Sequence, residues 1–172
     1  MENIINEIIN IFSGLTSLKF GKELIVFIIS ILPILELRGG LIAASILNVK
    51  PMIAYIICII GNTIPVPFIL LFINKILDWM RNSKIKILNK ISSWLDKKAR
   101  KNKEKIEKYG YLGLILFVGI PLPGTGAWTG CLAASVLEMN RKKSFLSVMA
   151  GIIMASIIMM LLSYGILGNL LR

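Results

Sequence analysis

The chain has 172 residues, 56% of them hydrophobic, with a mean hydropathy of +0.78 and a net charge of +11. This composition excludes an ordinary soluble domain and indicates a membrane protein. Because a spanning helix uses about 20 residues, the length suits a single membrane domain with few crossings.

The first 20 residues are predicted to form an interfacial helix at the outer membrane surface. Glu2 and Glu7 stand where a secretory signal would be positively charged, and no small-residue cleavage site follows, so we expect no cleavable signal. The apolar stripe of this helix can alternatively pack against a partner subunit, as in a homodimer. The stripe consists of Ile4, Ile5, Ile8, Ile9, Phe12 and Leu15.

Four longer apolar stretches follow. Residues 52–74 and 144–168 are continuous, and each predicts one transmembrane helix. Residues 24–47 and 112–137 are interrupted midway, at "PILELRGG" and "PLPGTGAWTG". Proline and glycine do not favour a helix interior, so we expect each of these two stretches to consist of two short helical arms.

A basic segment, residues 75–108, separates the two halves of the chain and holds twelve Lys or Arg against four acidic residues. It is bracketed by membrane segments and has no recognition motif, so we expect no nucleic-acid partner. The positive-inside bias assigns this amphipathic linker and the cluster Arg141, Lys142 and Lys143 to the cytoplasmic face of a prokaryotic cell membrane.

The two halves of the chain resemble each other. The segment "GGLIAASIL" (39–47) aligns with "TGCLAASVL" (129–137) at an offset of 90 residues. We therefore interpret residues 24–74 and 111–168 as two repeats, each a broken segment followed by one spanning helix. If all four apolar stretches crossed the membrane, the two basic clusters would lie on opposite faces, against the positive-inside bias.

Each broken segment is accordingly predicted to be a re-entrant hairpin that reaches the membrane midplane and returns. One crossing per repeat turns the second repeat upside down relative to the first. The predicted fold is an all-α polytopic membrane protein built from two inverted repeats. Inverted repeats with interrupted helices are typical of secondary transporters, in which the substrate site lies where the breaks meet.

Three motifs carry a resemblance to a known family. Together "PILELRGGLIAA", "GNTIPVP" and "IPLPGTGAWTGCLAA" resemble the small multidrug export protein family of prokaryotes, and the likeness covers residues 24–168. That family is similar in its paired re-entrant hairpins to the DedA (VTT-domain) superfamily. The resemblance implies a transporter: a drug exporter by the family's name, or a proton-dependent carrier of lipids such as polyprenyl phosphates by the DedA likeness.

Glu36 and Arg38 are the charges in the apolar body of the first repeat. An ionisable group at that depth is costly, so we interpret both as substrate- or ion-binding residues, with a structural ion pair as the alternative. Burial disfavours a charged carboxylate whereas Arg38 favours it, so Glu36 is a candidate for proton coupling. The fork of Arg38 suits a phosphate or carboxylate.

The returning arms are predicted to start at Gly39 and Gly40 and at Thr129 and Gly130, with free N–H groups that favour an anion. Asn62 is expected to be a buried amide with satisfied hydrogen bonds, in a span bent by Pro65 and Pro67.

The second break supplies the other candidate site residues. Thr125 and Thr129 are expected to cap the second arm, with substrate contact as the alternative. Trp128 can either line a cavity or pack the hairpin against the spans. The turn itself is assigned to Pro121, Pro123, Gly124 and Gly126.

The chain has no histidine, and we find no nucleophile beside a base and no metal-ligand spacing. We therefore expect no enzyme, metal or cofactor. The preferred function is a transporter or lipid flippase that moves an anionic amphiphile, such as a lipid phosphate, with membrane lipids and protons as its partners. Export of small cationic compounds is the alternative.

Overall fold

The structure is a computed structural model that describes residues 2–12, 14, 20–82, 93, 103–122 and 124–166. The regular elements in this part of the chain are all helical: α1 (Glu2–Ile11), α2 (Gly21–Ile31), α3 (Glu36–Ile46), α4 (Pro51–Thr63), α5 (Pro65–Arg81), α6 (Lys103–Gly119), α7 (Ala127–Val136), α8 (Arg141–Met160) and a π-helical segment (Leu161–Ile166). The chain divides into two compact units. Unit 1 comprises Met1–Ile64 and Ile152–Arg172, and unit 2 comprises Pro65–Gly151.

Two helical stretches, Pro51–Phe72 and Arg141–Gly165, are long and apolar enough to cross a membrane. They correspond to the two predicted crossings. Only 39% of the most apolar window of each stretch is buried. The exposed face of the first carries isoleucines at helical spacing: Ile53, Ile56, Ile60 and Ile64. A face that is both exposed and apolar suits contact with lipid rather than with water.

The first helical hairpin lies in unit 1, where α2 packs against α3 and both pack against α4. Pro33 has no N–H to donate to the carbonyl oxygen of Ile29. The Leu32 N–H bonds that oxygen instead, at 3.2 Å, and the Glu36 N–H then donates to the Leu32 oxygen at 2.9 Å. The break is therefore shorter than the predicted 33–40, because α3 already begins at Glu36.

The second helical hairpin lies in unit 2, where α7 packs against α6 and α5. Gly110, with φ 55°, bends α6 so that its apolar arm is Tyr109–Gly119. The turn that follows ends at Gly126, and α7 begins at Ala127. The prediction that this arm starts at Thr129 and Gly130 is therefore wrong.

The glycines within the helices allow close packing and do not interrupt the helix, so the arms start earlier than predicted. A Cβ on Gly40 would collide with the Ser30 Oγ, and one on Gly61 would lie 2.9 Å from the Ser30 Cβ. In unit 2, a Cβ on Gly130 would lie 2.5 Å from a methyl group of Val118. Glycine lets three helices approach closely at each of these points. We call them the Ser30 junction and the Val118 junction.

The offset of 90 residues also recurs in the local structure. Each hairpin is followed by a turn with one left-handed non-glycine residue, Asn48 with φ 55° and Glu138 with φ 54°. The next N–H in each turn, of Val49 and of Met139, donates to a helix carbonyl five residues earlier at 2.9 Å. Each junction also includes a glycine of the helix that follows the hairpin: Gly61 at the Ser30 junction and Gly151 at the Val118 junction. These two glycines are again 90 residues apart.

The apolar stripe of α1 faces its own unit. Ile5 is fully buried with Ile25, Ile29, Leu35 and Ala43, and Ile8, Ile9 and Phe12 pack on the same cluster. A helix at the outer membrane surface stays a prediction. Apart from residues 75–82, 93 and 103–108, the predicted basic linker lies outside the described residues.

The π-helical segment is hydrogen-bonded to the end of α3 and to the turn that follows it, all within unit 1. The Ser45 hydroxyl donates to the carbonyl oxygen of Ser163 at 2.9 Å. The Tyr164 hydroxyl donates to the carbonyl oxygen of Val49, also at 2.9 Å. These two bonds connect residues more than 100 positions apart, so they tie the last turn of the second crossing to the first hairpin.

Candidate functional site

Glu36 and Arg38 lie in the first turn of α3, and only 4% and 7% of their surfaces are exposed. The negative charge of Glu36 acts on the Arg38 guanidinium, so each group offsets part of the cost of burying the other. A buried charge that loses its partner is strongly unfavourable. The two residues therefore form one unit, and a change in the charge of Glu36 is felt directly by Arg38.

The backbone at Glu36 is strained. Its φ of 53° places it in the left-handed region, which costs a residue with a side chain about 1–2 kcal/mol. The position 90 residues later is Gly126, which has a φ of 132°. The second hairpin thus uses glycine at the equivalent point, and the first hairpin keeps a carboxylate there. Strain of this kind is found at functional sites.

Asn62 is fully buried at the end of α4, and neither polar atom of its side chain has a hydrogen-bond partner among the described residues. The expected hydrogen-bond partners of a structural amide are therefore not found among these residues. Pro65 and Pro67 have no N–H, so the carbonyl oxygens of Gly61 and Thr63 lack their usual helical donors. A buried amide without partners, on a helix end with carbonyl oxygens that lack helical donors, suits a water molecule, a hydroxyl group or a cation.

The arms do not present free N–H groups at the predicted glycines. The Gly39 N–H donates to the carbonyl oxygen of Leu35, and the Gly130 N–H donates to that of Gly126, both at 2.8 Å. The helices start three residues before Gly39 and three residues before Gly130, so these amides belong to ordinary helical bonds. The predicted binding of an anion by free N–H groups does not hold for Gly39 and Gly130, and Arg38 is the remaining candidate for that role.

The second break is a turn in which Gly124 has a φ of 82°. The Thr125 hydroxyl bonds the carbonyl oxygens of Ile120 and Leu122, each at 2.9 Å. The Thr129 hydroxyl is 3.4 Å from the carbonyl oxygen of Gly126. Both hydroxyls therefore lie against carbonyl oxygens of this turn, and capping of the second arm by the threonines stays a prediction.

The candidate residues fall into two groups. Glu36, Arg38, Gly39, Gly40 and Asn62 belong to unit 1, on α3 and α4, which pack together. The second group belongs to unit 2 and consists of Pro121, Gly124, Thr125, Gly126, Trp128, Thr129 and Gly130. Pro123 lies outside the described residues. A single site joining both hairpins stays a prediction.

Sequence reasoning missed the Ser30 junction. Ser30 is fully buried, and its hydroxyl donates to the carbonyl oxygen of Val26 at 2.7 Å. Ser30 lies on α2 at the point where Gly40 of α3 and Gly61 of α4 approach that helix. Gly61 immediately precedes Asn62 in α4. The signal was present as glycines at equal offsets in the two repeats, but the sequence alone does not show which residue they face.

Residues 36–158 match the family described as "Putative small multi-drug export protein". The chain belongs to this family. The matched region begins at Glu36 and contains every candidate residue of both hairpins. Together with the two apolar helices of membrane length, it identifies a membrane protein of an export-type family. No curated protein and no solved structure is significantly similar to the chain.

Proposed function

We propose that the protein is a non-enzymatic membrane transporter or lipid flippase that moves an amphiphile with an anionic group. The observation that carries this proposal is the buried pair of Glu36 and Arg38 on strained backbone within an apolar hairpin. The guanidinium of Arg38 matches a phosphate or carboxylate with two parallel hydrogen bonds. The apolar helices around it suit the hydrocarbon part of the same molecule.

A proton provides the coupling. When Glu36 is ionised, it pairs with Arg38; when Glu36 is protonated, Arg38 is available to the anionic group of the substrate. Proton binding and substrate binding therefore favour the same state and are thermodynamically linked. The unpartnered amide of Asn62, on the helix that packs against α3, is a further polar contact for the bound group.

The proposal includes two inverted repeats with re-entrant hairpins in a prokaryotic cell membrane. The arms α2 and α3 have 11 residues each and α7 has 10. At about 1.5 Å per residue, none of them can cross a hydrocarbon core of about 30 Å alone. A helical hairpin with two arms of this length enters and leaves the membrane on one side.

Cysteine labelling tests this topology. Single cysteines are placed at Lys50, Lys97 and Lys142 in a Cys58→Ala, Cys131→Ala background, and each is labelled with an impermeant maleimide from either side of oriented vesicles. We expect positions 97 and 142 to react from the same side and position 50 from the other. Reaction of position 142 together with position 50 would exclude the re-entrant hairpins.

A flux assay in reconstituted vesicles tests the substrate class and the coupling. We expect Arg38→Ala to abolish binding and transport of a polyprenyl phosphate, and Arg38→Lys to restore part of it because an ammonium lacks the fork of the guanidinium. Glu36→Gln is expected to retain binding and to lose the response to a proton gradient. An unchanged response in Glu36→Gln would show that Glu36 is not the coupling residue.

The second candidate function is export of small cationic compounds, which the family description favours. In that case the carboxylate of Glu36 binds the cationic substrate, and the positive charge of Arg38 weakens that binding. The same vesicles distinguish the two functions when they are offered a cationic dye. Loss of dye transport in Glu36→Gln, with retention in Arg38→Ala, would support cation export over the movement of an anionic amphiphile.

A further inference from the structure

Unit 2 contains an apolar groove of about 360 Å³ between α5 and the first two turns of α8. Its walls are the side chains of Pro67, Leu70, Leu71, Phe145 and Leu146, and the apolar stems of Arg141 and Lys142 complete the lining. Leu71 and Leu146 are 48% and 66% exposed, so the groove is open along its length. An apolar groove bordered by two exposed cationic side chains has the character of a binding site for an anionic lipid.

The backbone at the start of α8 is already satisfied. The Asn140 Oδ1 accepts hydrogen bonds from the N–H groups of Lys142 and Lys143, at 3.1 and 3.2 Å. An anion in the groove would therefore be held by side chains rather than by the helix terminus.

The three cations of this cluster are not equivalent. Arg141 and Lys142 line the groove, whereas the Lys143 ammonium lies 5.7 Å from the centre of the Tyr111 ring and contributes nothing to the lining. A cation over an aromatic face is held there by the ring quadrupole. Lys143 has the same formal charge and the neighbouring position in sequence, so it provides a matched control for the other two.

We propose that this groove binds one anionic phospholipid, with an acyl chain against the five apolar side chains and the phosphate group at Arg141 and Lys142. The apolar walls hold the acyl chain by van der Waals packing, which a free phosphate cannot exploit. The two cations favour a lipid with net negative charge over a zwitterionic one. This site uses neither Glu36 nor Arg38, and it is detected by binding alone.

Native mass spectrometry of the full chain tests the proposal. The protein is released from nanodiscs that contain equal amounts of phosphatidylglycerol and phosphatidylcholine, and the retained lipids are counted. We expect wild type to retain phosphatidylglycerol preferentially, and Arg141→Gln and Lys142→Gln each to reduce that preference about fivefold. Lys143→Gln, which has the same net charge as the other two variants, should retain the wild-type preference. Leu146→Trp should reduce retention of the lipid by filling the groove.

Three outcomes would overturn the proposal. Equal losses in all three charge variants would indicate general attraction to the basic surface rather than a site. Full retention in both Leu146→Trp and the matching variant Leu71→Trp would show that the chain does not occupy the groove. Complete displacement of the lipid by inorganic phosphate would indicate a free anion as the occupant. Thermal unfolding in detergent verifies the fold of each variant. A negative result for the groove would not affect the proposed transport function, which rests on Glu36 and Arg38.

Discussion

The two helical hairpins have similar backbones and different chemistry. Each has two short arms, a turn with a left-handed residue at the start of the second arm, and a glycine that allows close packing on the first arm. At the offset of 90 residues, however, Glu36 corresponds to Gly126 and Arg38 corresponds to Trp128. The comparison teaches that this backbone does not require charge, since the second hairpin forms without it.

The span that follows each hairpin shows the same contrast. Asn62 corresponds to Ile152, and both are fully buried. An isoleucine at such a position stabilises the protein by burial alone, whereas an amide without partners costs free energy. The buried polar groups of α3 and α4 therefore oppose folding stability, which is the reason that we propose a function for them.

The largest expected effect concerns the packing that the two hairpins share. Gly40→Val and Gly130→Val should each destabilise the protein by about 3 kcal/mol, because the added side chain overlaps the facing helix. Thermal unfolding in detergent measures the loss. Similar losses would confirm that the Ser30 and Val118 junctions are equivalent.

A rescue experiment makes this prediction specific. Val118→Ala should restore part of the stability of Gly130→Ala, since the closest atom to the new Cβ is the Val118 methyl group at 2.5 Å. Val148→Ala is the matched control, because Val148 lies at 3.9 Å, an ordinary contact distance. Equal rescue by both would refute the described junction.

The next effect concerns Asn62. Asn62→Leu keeps the number of side-chain heavy atoms and their branching and removes two buried polar groups without partners, so we expect the unfolding free energy to rise by about 1–2 kcal/mol. Ile152→Asn, the reverse change at the equivalent position, should lower it. If Asn62→Leu destabilises the protein instead, the amide is bound to a water molecule or an ion in the folded state.

The smallest effect isolates the backbone strain at Glu36. Glu36→Gly and Glu36→Ala both remove the carboxylate, so their difference reports the conformation alone. We expect the glycine variant to be more stable by about 1 kcal/mol because glycine adopts a positive φ freely. Equal stability of the two variants, compared by unfolding in detergent, would exclude a strained residue at this point.

The sequence predicted much of this architecture and less of the site. Long apolar runs predicted the two crossings, and Pro33 and Pro121 marked the breaks because proline cannot donate a helical hydrogen bond. The predicted arm starts at Gly39, Gly40 and Gly130 were wrong, because the sequence does not distinguish a glycine at the end of a helix from one that packs inside it. The missing partners of Asn62 depend on tertiary packing, as does the separation of Lys143 from the groove, and no local pattern encodes either.

The central claim is that Glu36 and Arg38 serve transport rather than folding, and a double-mutant comparison tests it most directly. Glu36→Gln, Arg38→Met and the double variant are purified, and both thermal unfolding and flux of a polyprenyl phosphate in vesicles are measured. Each single variant leaves a buried group without its partner, whereas the double variant replaces the pair by neutral groups and should be about as stable as wild type. The account predicts a stable double variant that does not transport. A double variant that is stable and transports with the wild-type response to pH would show that the pair is structural, and would contradict the account.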